Sequence, residues 1–452
     1  MINKISFALW VGIIAVLVGV FGTVSVALWA SHTEILTTQV YDKRVEEAIL
    51  NLEVTPQLPN IPDRSCGDIR DFGAISSNGT RTTQAITEAI KVCGEAGGGR
   101  ITISPGAWEI YPFSLESYVE LFFEDGAKFV FGDDLNQYGD PILWRFEGVR
   151  MIMTPPLISC VSCHDISIRG NGIIFGNSAL WDLYTPNEFW WLETIYNESE
   201  NREDVEDRTQ YRLSKESLRP EVIGFMNSAH VVVEDITIKD APRTGMRVLM
   251  STDVKIEGVS IATEANEGDA LVLDGSSKVS VQKSEFSSLY GEGVELQSGL
   301  NAEGNGMDEY PLSLVQIKDI SIPQARNALS INRAMSGGIN RVVIDGIEIK
   351  AAETAVSAHI PQDVSGTVSH VAWTNIHAQN ISKNLIFVDL AYPDDMVDFK
   401  HDERVPTTFH NLYFSDISSD ISSADVSFRH INHPRVNAWA IFWEGEDKAK
   451  EH

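Results

Sequence analysis

Val231-Val-Val-Glu-Asp-Ile-Thr-Ile238 places apolar residues at Val231, Val233, Ile236 and Ile238, and the same phrase returns down the chain. It comes back as Val254-Lys-Ile-Glu-Gly-Val-Ser-Ile261, loosely as Val279-Ser-Val281 with Phe286, and as Val315-Gln-Ile-Lys-Asp-Ile-Ser-Ile322. Further copies are Val342-Val-Ile-Asp-Gly-Ile-Glu-Ile349 and Val371-Ala-Trp-Thr-Asn-Ile376, and an earlier form is Ile166-Ser-Ile168 with Ile173-Ile-Phe175. Successive starts from Val231 lie 23, 25, 36, 27 and 29 residues apart. Period-two alternation marks a strand with one buried face, and the two-residue step in the middle is a corner that re-aims the next strand inward. Short strands returning at this period, with no helix between them, predict a parallel β-solenoid. In such a fold, equivalent residues of successive coils stack about 4.8 Å apart, so distant positions become neighbours in a column.

The rest of the chain divides around that repeat. From Ile5 to Ala30 there are 26 residues without a charge, enough to cross a bilayer as a helix. Residues 1–31 are therefore expected to form a transmembrane signal-anchor. Lys4 before it sets the N-terminus in the cytoplasm and the remainder on the extracellular or periplasmic side. A secreted form with a cleaved signal is the alternative. Residues 32–64, with Pro56, Pro59 and Pro62, read as a stalk that is partly helical across 40–52. The solenoid domain is expected over 65–433. It starts with a capping helix that begins near Thr82 and Thr83 and buries Ala85, Ile86, Ala89, Ile90 and Cys93. An aromatic and charged insert interrupts it at about 181–220, where Phe189, Trp190 and Trp191 could stack on sugars or pack on the scaffold. Residues 434–452 read as a C-terminal cap or tail. A net charge of −29 argues against a nucleic-acid partner. Cys160 and Cys163 form a single C-x-x-C, which indicates buried thiols or a disulfide rather than a metal site.

Several phrases resemble those of glycoside hydrolase family 28, the polygalacturonase-like pectin hydrolases, over about Asp68 to His430. They are Asp68-Ile-Arg-Asp-Phe-Gly-Ala74, Gly97-Gly-Gly-Arg-Ile-Thr-Ile-Ser-Pro-Gly106, Gly170-Asn-Gly-Ile-Ile-Phe-Gly176 with Trp181, and Arg219-Pro-Glu-Val-Ile223. The resemblance implies an all-β, single-stranded, right-handed parallel β-helix of the pectin-lyase-like kind. It also implies hydrolysis of a polysaccharide with inversion, using no metal or cofactor, in which one carboxylic acid protonates the leaving oxygen while others activate water.

The chain departs from the family at the chemistry. The N-T-D position falls on Glu267-Gly268-Asp269, which keeps the aspartate, and the G-D-D position falls on Tyr290-Gly291-Glu292, which loses the family's acid. The G-H-G becomes Ala325-Arg326-Asn327, and the uronate-binding R-x-K becomes Ser357-Ala-His359. With Leu271, Val294, Leu296, Leu329, Ile331 and Val356 inward, alternation turns Glu295 outward, and Arg247 outward on the preceding coil. Asp269, Glu292, Glu295, Arg326 and Arg247 are thus expected to share one exposed strip. Asp269 and Glu292 would activate water, with Glu295 as a relocated acid, and Arg247, Arg326 and His359 would bind sugar. The expected partner is a polysaccharide other than plain polygalacturonate. The alternatives are an inactive carbohydrate-binding or scaffold β-helix, or another β-solenoid chemistry such as a lyase.

Overall fold

The computed structural model describes residues 33–35, 42–181, 219–264, 268–300, 310–332, 334–361, 366–392, 407–420, 425–432, 436–444 and 450–451. The expected anchor over 1–31 and nearly all of the expected insert lie outside them. Among the described residues, no helix is long and apolar enough to cross a membrane.

The repeat builds what its spacing predicts, a parallel β-helix. Strands pair into a 19-stranded and an 11-stranded sheet, joined in register from coil to coil. Ile166, Val231, Val254, Val279, Val315, Val342, Val371 and Leu412 stack in one column. Each is buried, so a single apolar core runs the length of the solenoid. One coil reads Ile223–Met226, then Ala229–Glu234, a corner, and Thr237–Lys239.

The corner has a backbone reason. Asp235, Gly258, Lys283, Asp319, Gly346, Asn375 and Asp416 all have φ between 48° and 69°. This left-handed region costs most residues about 1–2 kcal/mol, but it suits glycine, and asparagine or aspartate with local hydrogen bonds. Six of these seven corners use one of those residues, so the polar doublet inside each phrase is what turns the chain.

Helix Gly79–Glu95 packs its Ala85, Ile86, Ala89, Ile90 and Cys93 face on the first coils, with Asn78 accepting from the Arg81 amide at its start. It begins a few residues before Thr82, and the Cys66–Cys93 disulfide ties it to the first strand. Cys160 and Cys163 form a second disulfide.

The stalk expectation needs correction. Helix Lys43–Leu50 lies on the outer face of the late coils, with Ile49 packed among Ala372, Tyr413, Ala440 and Phe442. From there the proline-punctuated segment runs back along the solenoid as a strap. Gln316 Nε2 donates to the Leu52 carbonyl at 2.9 Å, and the Gln57 and Asn60 amides donate to Asp253 Oδ1 at 2.9 Å and Asp165 Oδ1 at 2.7 Å. The cause is a pair of carboxylates, Asp165 and Asp253, each just before the first apolar residue of its phrase, that satisfy amides an extended strap leaves unpaired. At the other end, Val436–Glu444, expected within a cap, adds a further parallel rung on Thr407–Ser419. Its outer edge is covered by Thr33–Ile35 in antiparallel pairing.

Candidate active site

On the smaller sheet the outward column runs Gly224, Arg247, Val272, Glu295, Ser330, Ser357 and Phe387. Asp269 lies just ahead of strand Leu271–Asp274, and Glu292 opens strand Glu292–Gln297. The Glu292 amide donates to Asp269 Oδ1 at 2.9 Å, which locks the two acids together across adjacent coils. Glu295 follows on the same strand as Glu292, so the three expected catalytic residues lie together.

They are not on an exposed strip. Asp269, Glu292, Glu295 and Arg247 are only 6, 3, 2 and 0 % exposed. The cover is a hairpin, Ile142–Phe146 antiparallel to Val149–Met153, lying across the sheet. Trp144 Nε1 donates to Glu221 Oε2 at 2.7 Å, and Arg145 Nη1 donates to Asp274 Oδ1 at 3.0 Å. Arg243 sits 3.8 Å over the Phe146 ring while pairing with Glu147, and the Gly148 carbonyl accepts from the Leu300 amide at 3.0 Å. Gly224 leaves room for this cover, since a Cβ there would come within 2.6 Å of the Trp144 ring.

Arg247 is corrected from sugar ligand to buried counter-ion. It pairs with Glu221, lies 3.6 Å from Asp274 and donates to Gln297 Oε1 at 3.0 Å. Arg326 remains half-exposed and donates to Glu292 Oε1 at 3.0 Å, beside Asn327 Nδ2 at 3.1 Å. Glu292 Oε2 is buried with no hydrogen-bond partner among the described residues. His359 is exposed, edge-on to Phe387 at 5.8 Å. It belongs to the strand two coils past Glu295, outside the acid cluster. Among the described residues, no group of three or more His, Cys, Asp or Glu side chains is placed to hold a metal.

Sequence reasoning missed Glu147, Arg145, Trp144, Glu221, Asp274 and Arg243. A signal was present: two apolar runs, Ile142-Leu-Trp-Arg-Phe146 and Val149-Arg-Met-Ile-Met153, flank Glu147-Gly148. Both turn residues have positive φ, 47° and 81°, as a tight two-residue hairpin turn requires.

Burial sets the electrostatics. It raises the Asp269 carboxyl, with Glu292 adding repulsion, and it raises Glu292 despite Arg326. Glu295 rises furthest, to about 8, through burial and then the charges of Asp269 and Glu147. Such groups bind protons more tightly folded than unfolded. Stability should therefore fall as pH rises from the ordinary 4.5 through about 8, by up to about 1.4 kcal/mol per pH unit per group. Glu257, held down by hydrogen bonds from Lys255 and Lys283, acts in the opposite sense below that window. Thermal unfolding should accordingly show a maximum at or just below about pH 4.5 and a decline towards pH 8, flattened in Glu295→Gln. A profile that rises through this window would contradict the clustered acids.

Fold and carboxylate cluster together give a parallel β-helix with a group of buried acids beside its smaller sheet. The chain is polygalacturonase-like, as its motifs indicate. It is 22% identical over 384 residues to an exo-poly-alpha-D-galacturonosidase of Dickeya chrysanthemi, covering 78% of this chain and 61% of that protein. It is 23% identical over 297 residues to a probable polygalacturonase of Vitis vinifera, covering 63% of this chain and 55% of the relative. The chain thus spans less than two thirds of the length of either. A hyperthermoactive exopolygalacturonase from Thermotoga maritima superposes with a TM-score of 0.71 at 23% identity, covering 85% of this chain and 89% of that one. No family model matches.

Proposed function

We propose that the protein hydrolyses a glycosidic bond of an extracellular or cell-wall polysaccharide, with inversion, on a right-handed solenoid. The observation that carries this reading is the buried, mutually repelling trio of Asp269 and Glu292, at the motif positions for catalysis, and Glu295 three residues further along the same strand as Glu292. Glu295 is the proton donor, because its carboxyl is the most strongly held in the acid form. Asp269 and Glu292 hold and activate the water. Plain polygalacturonate fits poorly, since Ser357 and His359 replace the uronate-binding cations and Arg247 is sealed in. A signal-anchor over residues 1–31, with the solenoid on the extracellular or periplasmic side, completes the reading. It rests on the 26 uncharged residues and on two disulfides suited to an oxidising compartment.

A second reading has its own support. The hairpin leaves the acids at most 6 % exposed and Gly291 stands where the family's acid would be, which fits a carbohydrate-binding protein that has lost catalysis. Release of reducing ends from a panel of neutral and uronate-containing polysaccharides separates the two. Hydrolysis of at least one glycan is expected, and binding without hydrolysis across the panel would leave the binding reading in its place.

A further inference from the structure

With the hairpin lying over the sheet, the corner of the coils beside Arg326 carries an opening of its own. A cavity of about 500 Å³ opens at the corner that precedes the strands of the smaller sheet, walled by Leu289, Tyr290, Arg326, Glu353, Asn380 and Ser382 among others. It spans the coils that open at Glu292, Ala325, Ala352 and Ile381. Its volume lies in the range of small-molecule sites, room for about one or two sugar rings.

Three features indicate the ligand. Tyr290 and Leu289 are 48 and 36 % exposed, a flat aromatic and an aliphatic surface turned to solvent. Asn380 and Ser382 add hydrogen-bonding groups to the same wall. The charges cancel: Arg326 pairs with Glu292 at 3.0 Å, and Glu353 pairs with Lys383 at 2.6 Å. A uronate would have to take a cation from an existing carboxylate partner, whereas a neutral ring would not. Arg326 also links this cavity to the acids, through a carboxylate whose second oxygen is buried without a hydrogen-bond partner among the described residues.

We propose that this cavity binds a neutral sugar unit of the glycan, its ring against Tyr290, entering from the corner of the coils rather than along the sheet face. This rests on the carbohydrate-active reading above and supplies its substrate class. Arg326, which lines the cavity and pairs with Glu292, is then the residue that stands between the bound unit and the acids.

Titration calorimetry on the full-length chain tests it, with neutral galactan and xylan tetrasaccharides beside tetragalacturonate as probes. A neutral tetrasaccharide is expected to bind at least tenfold more tightly than tetragalacturonate. Tyr290→Ala should weaken that binding at least tenfold, while Tyr290→Phe retains it. Tighter binding of tetragalacturonate, unchanged binding in Tyr290→Ala, or no binding of any probe would overturn the proposal. Hydrolysis measured in parallel keeps the two readings apart. Binding that depends on Tyr290 without turnover upholds the cavity and removes the enzyme, and turnover indifferent to Tyr290→Ala does the reverse.

Discussion

Glu292→Gln should lower turnover by about 10²–10⁴-fold and at the same time raise the melting temperature. Both effects follow from one geometry. Glu292 is buried, locked to Asp269 through its own amide and crowded by the Glu295 charge. Glutamine keeps the shape, and its oxygen can still accept from Arg326 and Asn327, while it removes a carboxylate from a place where carboxylates repel. In the proposed mechanism the water loses its base, and the neighbouring acids lose a repulsive partner. Glu295→Gln should follow the same pattern, with turnover of substrates bearing a good leaving group spared, since those need no proton donor. Michaelis kinetics beside differential scanning calorimetry reads both. Loss of stability with turnover intact would show that these acids are structural.

Arg247→Ala should have the largest effect on stability, about 3–5 kcal/mol, because it leaves Glu221 and part of Asp274 as buried charges without their cation. Arg145 still reaches Asp274 at 3.0 Å, so Glu221 suffers most. Glu221 also accepts from Trp144, which makes the hairpin's seat depend on Arg247. The denaturant midpoint should therefore fall, and amides of Ile142–Met153 should exchange faster than those of the solenoid core. A loss of less than about 1 kcal/mol would mean that the cluster is solvated and the hairpin not closed over it.

The solenoid was legible in the sequence because its causes are local. Alternation fixes each buried face, and a doublet such as Glu257-Gly258 or Asp345-Gly346 fixes each corner, all within eight residues. The pairing of Asp269 with Glu292 was legible too, since stacking follows from the repeat once the coils are in register. The hairpin was not, because its contacts cross 77 and 129 residues of chain and none of them has a period. Alternation says that Arg247 points away from the core, and it cannot say what lies on top. That is why a residue expected to meet sugar meets Glu221 instead.

The strap bears on how the molecule comes apart. A solenoid whose coils touch only their neighbours can fray from either end, one coil at a time. Here the chain between Ile49 and Arg64 touches the coils of Tyr413, Gln316, Asp253, Asp165 and Gly98 in turn. Late coils are thereby fastened to early ones, as a cord along a stack of rings holds the first and last together. Fraying at the far end must strip the cord as well, which couples the ends and favours a single cooperative transition over a staircase.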